Sequence, residues 1–243
     1  MPLELALVLV VIGFAVVQSV FGVGLLVFGT PTLLLLDFSF EETLAYLLPC
    51  SIVISMLQIV VGGGFRVDPV RRQFMVFTAP VVLIGTAVIL TVGATVDIRL
   101  LVGVMLILSG AIRLLGSARA ALSRVIRRRL PGFLLLLGAI HGLSNLGGGV
   151  LTLIVGSVYD NKEDIRRQVA FCYGMMAAIQ LITLTIASGA DLIPFLVVIL
   201  PVLAGVVYGL VGNRAFSAAS QRVYQVSLTM LIMAFGFALV VGI

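Results

Sequence analysis

The chain has 243 residues, 61% of them hydrophobic and 10% charged, with 15 Lys and Arg against 10 Asp and Glu and a mean hydropathy of +1.28. This composition excludes a soluble globular domain and leaves an all-α, polytopic helical membrane protein. The net charge of +5 sits in short loops beside apolar runs, where it reports membrane orientation and excludes a nucleic-acid partner.

The start, Met1-Pro2-Leu3-Glu4, lacks the basic region of a signal peptide, so the first apolar run is expected to stay in the protein. That run, Leu5 to Leu36, is 32 uncharged residues, more than one straight crossing requires. Small and polar residues interrupt it at Gln18-Ser19-Val20-Phe21-Gly22-Val23-Gly24 and again at Gly29-Thr30-Pro31. Uncharged windows of about one bilayer follow at Thr43 to Phe65 and Gln73 to Val96, and Leu100 to Gly116 crosses with Arg113 near an end. Pro31, Pro49, Pro80, Pro194 and Pro201 are expected to end or kink helices.

After the basic stretch Arg119 to Arg129 comes a second long run, Leu130 to Tyr159, with 30 uncharged residues. As one helix it would reach about 45 Å, well beyond a hydrocarbon layer of about 30 Å. It must fold back, and Ser144-Asn145-Leu146-Gly147-Gly148-Gly149 is where helix propensity is weakest. Broken backbone at membrane depth is tolerated only inside protein or beside a water-filled cavity, which makes this stretch a candidate site. Three further windows, Gln168 to Ala190, Leu192 to Asn213 and Val223 to Ile243, each cross once. The total is ten segments.

Sliding the chain by 125 residues lays Ser19 on Ser144, Gly22 on Gly147, Gly24 on Gly149 and Leu26 on Leu151. Two related halves of five segments are the expectation, with a first repeat over 1–118, a basic cytoplasmic linker over 119–129 and a second repeat over 130–243. If both long runs are hairpins, 14 of the 15 basic residues face one side; if the second crosses once, the split becomes 9 against 6. The hairpins are therefore preferred, with both termini outside and the halves inverted.

Two glycine-rich tips directed at the midplane from opposite faces form an architecture that secondary transporters use. Unpaired N–H groups and the helix dipole favour an anion there, with the substrate-binding set Ser19, Gly22, Gly24, Thr30, Ser144, Asn145, Gly147, Gly148, Gly149 and Thr152. No basic residue is expected at that depth, so backbone groups carry most of the recognition. Gln18, Gln58 and Gln180 read as interhelical hydrogen-bond partners or as pathway residues. His141, the single histidine, reads as a coupling proton carrier or as a packed, satisfied side chain. The glycines serve a close-packing role equally well. Cys50 and Cys172 read as buried small hydrophobes, and no metal or cofactor signature occurs.

On Phe21-Gly22-Val23-Gly24 with Thr30-Pro31, and Leu146-Gly147-Gly148-Gly149 with Thr152, the chain resembles the sulfite exporter TauE/SafE family, permeases once known only as a family of unknown function. It departs from the family pattern at Leu25, where a longer glycine run is common, and at Gly156, where proline is frequent. The resemblance implies transport of sulfite, organosulfonates or related sulfur-containing or carboxylate anions across the inner membrane of a prokaryote; a proton or a sodium ion is the candidate coupling ion, and the sequence does not choose between them. A passive anion channel, or an intramembrane serine hydrolase built on Ser144 and His141, are the alternative functions.

Overall fold

A computed structural model describes residues 3–64, 68–92, 98–188 and 195–241. The expected segment ends at Phe65, Val96, Ala190, Leu192 and Ile243, together with Arg66 and Pro194, lie outside the described residues. Helix dominates, with no strand among the described residues. In chain order the elements are α1 (Leu3–Phe21), α2 (Leu25–Leu35), α3 (Phe40–Val61), α4 (Pro69–Val92), α5 (Ile98–Leu114) and α6 (Gly116–Arg128), then α7 (Leu130–Ser144), α8 (Gly148–Val158), α9 (Lys162–Ser188), α10 (Leu196–Ala218) and α11 (Gln221–Val241). Five of them, α1, α3, α4, α9 and α10, are long and apolar enough to cross a membrane.

Both long uncharged runs are broken where the glycines predict. α1 and α2 are separated by Gly22 to Gly24, and α7 and α8 by Asn145 to Gly147. α2 and α8 are short arms of 11 residues, about 16 Å each and so about half a hydrocarbon layer. Other helices outrun their uncharged windows because a helix continues into the interface, where charges are stable. α3 starts at Phe40, fixed by a capping box in which the Ser39 hydroxyl accepts from the Glu42 N–H at 3.2 Å and the Glu42 carboxylate accepts from the Ser39 N–H at 2.9 Å. α9 starts at Lys162, where the Asn161 side chain accepts from the Glu163 N–H at 2.7 Å. Pro49, Pro80 and Pro201 lie inside their helices, and Pro31 occupies the first turn after a π turn at Leu25–Gly29.

The basic linker is itself a helix, α6. Its Ile126 is buried while Arg124, Arg127 and Arg128 are exposed. Arg127 donates from Nε to the Ser157 carbonyl at 2.7 Å and from Nη2 to the Val158 carbonyl at 3.2 Å. A cation thereby satisfies the orphan carbonyls at the C-terminus of α8. Next to this point burial and a hydrogen bond to Asp68 push the Tyr159 phenol up, so it remains a neutral donor.

Packing pairs α4 with α7, α3 with α9, and α5 with α11, while α10 packs on α3 and α1, and α4 also packs on α9. Lipid offers no hydrophobic drive for such contacts, so close backbone approach and interhelical hydrogen bonds must supply it. Gly138 and Gly142 provide the approach on α7: a Cβ on Gly142 would lie 2.8 Å from the Val82 carbonyl oxygen and 3.1 Å from Gly85 Cα. Thr78 Oγ1 donates to the Leu134 carbonyl at 2.9 Å and Thr86 Oγ1 to the Gly142 carbonyl at 3.3 Å. Gly103 and Gly236 do the same for α5 and α11, each Cβ position lying 2.9 to 3.0 Å from the other's carbonyl oxygen. The outward surface carries Leu83, Ile84, Ile182, Ile186 and Met230, all exposed to the lipid.

The glycines therefore divide into packed and free positions, and substitution should separate them. Gly142→Leu is expected to lower stability by about 2 kcal/mol or more through overpacking against α4. Gly156→Ala meets nothing within 4 Å and should raise stability by about 0.5 to 1 kcal/mol. Thermal unfolding of the purified protein in detergent checks both, and equal effects would refute the division.

Candidate functional site

The first tip begins where Gly22, at φ +79°, takes the left-handed conformation and donates its N–H to the Gln18 carbonyl at 2.7 Å. The chain then turns directly over α1: a Cβ on Gly24 would lie 2.5 Å from the Gln18 backbone nitrogen. Gln18 organises the turn. Its Oε1 accepts from the Leu25 N–H at 3.3 Å, and its Nε2 donates to the Ser51 carbonyl and hydroxyl, both at 3.0 Å, and to Ser55 Oγ at 3.3 Å. Gln58 Nε2 donates to the Gln18 carbonyl at 2.8 Å and the Ser19 carbonyl at 3.0 Å. Both glutamines thus clamp the last turn of α1 to α3, the interhelical role. The Val27 N–H donates to the hydroxyl of Tyr173 on α9 at 3.0 Å.

The second tip uses the other residue type that tolerates positive φ. Asn145, at φ 60°, closes α7 by donating its N–H to the His141 carbonyl at 2.7 Å. The Gly147 N–H donates to His141 Nδ1 at 3.2 Å, so the imidazole proton belongs on Nε2. Ser144 Oγ donates to the Ile140 carbonyl at 2.5 Å and accepts from the Leu146 N–H at 3.3 Å. Neither nitrogen of His141 bonds Ser144, so the pair that a serine hydrolase requires is not made. Gln180 Nε2 of α9 donates to the His141 carbonyl at 3.2 Å. The N-cap of α8 is Gly147, which has no side chain to cap the helix and whose own N–H is taken by the His141 ring.

The two tips meet half-way along α9. Asn145 Nδ2 donates to Thr30 Oγ1 at 2.9 Å, across 115 residues of sequence. A Cβ on Gly148 would lie 2.3 Å from Val27 Cγ2, 3.3 Å from Val23 Cγ1 and 3.1 Å from Tyr173 Cε2, so only glycine permits this approach. The Tyr173 ring lies beside His141, with ring centroids 6.0 Å apart. Around the junction Asn145 Oδ1 is buried without a partner, and His141 Nε2 and Gln180 Oε1 are buried facing each other without a hydrogen bond of good geometry. Polar atoms left short of partners in a hydrocarbon surround are costly.

Thr30, Asn145, Gly147, Gly148, His141 and Gln180 therefore converge, whereas other expected members lie elsewhere. Gly22 abuts Val169 near the start of α9, Ser19 Oγ returns to its own Ala15 carbonyl at 2.6 Å, and Gln58 stays with α1. Gly149 faces Leu106 of α5, and Thr152 Oγ1 donates to the Gly149 carbonyl at 2.9 Å. Tyr173 is absent from the sequence-based set, since a lone tyrosine in an apolar helix carries no signal of its own. The charge count assigned Arg71 and Arg166 to a surface loop. Both are buried at the starts of α4 and α9, where Arg71 Nε donates to Gln168 Oε1 at 2.7 Å and the guanidinium stacks 4.4 Å over Phe171.

The model of the sulfite exporter TauE/SafE family matches residues 5–239, nearly the whole chain. No curated protein and no solved structure matches it.

The bond between the tips is open to a double-mutant cycle. Asn145→Gly keeps the left-handed backbone and Thr30→Val keeps the shape, so each removes little beyond the shared hydrogen bond. Their effects on unfolding free energy should be non-additive by about 1 kcal/mol. Strict additivity would show that the tips are not tied.

Proposed function

The chain belongs to the sulfite exporter TauE/SafE family, and on that premise we propose that it is a secondary transporter moving a small anion by alternating access. Sulfite, an organosulfonate or a related sulfur-containing or carboxylate anion is the proposed substrate. The observation that carries this reading is the junction of the two broken hairpins, tied by Thr30 and Asn145 and bordered by the buried, poorly satisfied Asn145, His141 and Gln180 side chains. His141 carries its proton on Nε2, facing Gln180, and α8 begins beside it with a glycine at its N-cap. At Asn145 the amide can exchange its ends against the Thr30 hydroxyl, which both donates and accepts, and so present an N–H to an anion. At the first tip the Leu25 and Val27 N–H groups are already taken by Gln18 and Tyr173, which leaves the second tip as the principal anion cradle.

Alternating access requires two halves that move against each other, and the packing supports ten segments in two inverted repeats, α1 to α5 and α7 to α11. Third packs on third (α3 on α9) and fifth on fifth (α5 on α11). The fourth segment of each half packs on the first and third of the other, α4 on α7 and α9, and α10 on α1 and α3. This reciprocal pattern is what a pseudo-two-fold axis in the membrane plane generates. The proposed setting is the inner membrane of a prokaryote, with both termini outside and α6 in the cytoplasm.

Transport is tested by sulfite flux in proteoliposomes. Substitution at Gly24 would strike backbone and confound packing with binding, so Asn145→Asp is the better probe. It keeps shape and backbone while placing an acid where the anion binds, and flux should fall by about tenfold or more, the scale of one lost charge-assisted contact. Unchanged flux with folded protein would remove the tips from the site. His141→Gln distinguishes coupling from packing: a coupling histidine loses the response to an imposed pH gradient, whereas a packing histidine loses only stability.

Topology has its own test. The native Cys50 and Cys172 are buried, so cysteines introduced at the exposed Ser39 and Ser217 would be the reactive ones. Ser39→Cys should label with an impermeant thiol reagent on intact cells and Ser217→Cys only after permeabilisation; labelling of both from outside would sink the inverted arrangement.

A further inference from the structure

A second polar cluster lies on the other side of the first tip, away from the Thr30–Asn145 junction. At its centre is Arg166 in the second turn of α9, only 6% exposed. The ion pairs among the described residues are Lys162–Glu163 and Arg167–Asp164, so Arg166 has no carboxylate within ion-pair distance and feels Glu163, one turn earlier, only through space. Its acceptors are weak: Nη1 lies 3.4 Å from the Ser19 carbonyl oxygen and 3.5 Å from Asn213 Oδ1, at the outer limit of hydrogen bonding. The Ser19 carbonyl is shared with Gln58 Nε2 at 3.0 Å. The remaining support is a stack of the guanidinium 3.5 Å over the Phe216 ring, in a wall where Tyr224 lies 6.1 Å from Phe216 and 5.2 Å from Phe21. A buried cation held by one backbone carbonyl, one amide and one ring is under-compensated, because its hydration has been replaced by too few acceptors.

An independent observation comes from α10. This helix carries a π turn at Tyr208–Gly212, a deformation that often accompanies function. The π turn seats against the end of α1, where a Cβ on Gly212 would lie 2.0 Å from Ser19 Cβ, so the glycine is required for the contact. The turn places the Tyr208 hydroxyl in a buried position, 3% exposed, without a hydrogen-bond partner and within electrostatic reach of Arg166. Gln58 Oε1, from α3, is also buried and unpaired nearby. The cluster thus pairs an under-compensated guanidinium with an unsatisfied O–H donor.

We infer that Arg166 and Tyr208 form a second anion station, which receives the oxyanion on the arginine-bearing side of the first tip and passes it to or from the junction of the tips. The inference deepens the transport reading and rests on it. Guanidinium N–H groups in a fixed plane match two oxygens of a sulfite or sulfonate group, and the phenol can donate to a third. Ser19 and Gly22, which the tip junction does not use, border this station.

The test is side-specific kinetics with the full-length protein. Initial rates of labelled sulfite uptake are measured in inside-out and right-side-out membrane vesicles, for wild type, Arg166→Gln, Arg166→Lys and Tyr208→Phe. Arg166→Gln should raise KM by about tenfold or more on the arginine-bearing face, with Arg166→Lys intermediate and KM on the opposite face nearly unchanged. Tyr208→Phe guards against misfolding, since it removes a hydroxyl that bonds to nothing in the protein, and it should raise KM on the same face alone. An unchanged KM for both Arg166→Gln and Tyr208→Phe, or a fall confined to Vmax and equal on the two faces, overturns the station and leaves Arg166 as a packing cation. Absence of flux of labelled sulfite, an organosulfonate and a simple carboxylate alike, in wild-type vesicles of either orientation, overturns the transport reading instead, and the station with it.

Discussion

Everything in this fold follows from the need to satisfy broken backbone at membrane depth. Breaking α1 from α2 and α7 from α8 exposes N–H and carbonyl groups that lipid cannot solvate. The protein answers with side chains: Gln18 and Tyr173 accept from Leu25 and Val27 at the first tip, and His141 accepts from Gly147 at the second. α3 and α9 must therefore stand directly behind the tips, since they provide Ser51, Ser55, Gln58, Tyr173 and Gln180. Their mutual packing holds the two hairpins against one another.

The same constraint explains why glycine is used so unevenly. At Gly148 it allows one tip to touch the other, and at Gly24 it allows the return arm to lie on α1. At Gly138 and Gly142 it brings α7 onto α4, a contact that fixes the long arm of the second hairpin. Packing one helix face on another and packing one tip on its neighbour are thus different jobs of the same residue type, and they fall at different positions.

Charge is arranged on a related principle. Carboxylates remain at helix starts and in loops, as in the capping box of Ser39 and Glu42, where they are solvated and favoured by the helix dipole. Arg127 caps α8 from the linker helix, and Lys162 donates to the Phe216 and Ala219 carbonyls at 3.2 and 2.6 Å at the end of α10. α8 and the π-distorted α10 are in this way each anchored by a cation from a neighbouring element. Arg166 differs, being buried without an ion-pair partner among the described residues.

Read by itself, the sequence determined the helical membrane class and the two breaks, because hydropathy, charge and weak helix propensity act locally. Thirty uncharged residues cannot cross once, and Asn145 followed by glycines cannot continue a helix, whatever the rest of the chain does. The helix ends at Phe40 and Lys162 were less legible, since a helix continues past its apolar window until a cap stops it. What only the tertiary structure decided is which of the polar residues meet. The pairing of Thr30 with Asn145, of Tyr173 with Val27 and of Arg166 with Ser19 depends on how α9 crosses the two hairpins, and contacts over 115 to 147 residues leave no periodicity in the chain. Tyr173 and Arg166 gain their roles from that crossing alone, because a neighbour's position, and not the residue's own sequence context, sets whether a buried polar group is satisfied.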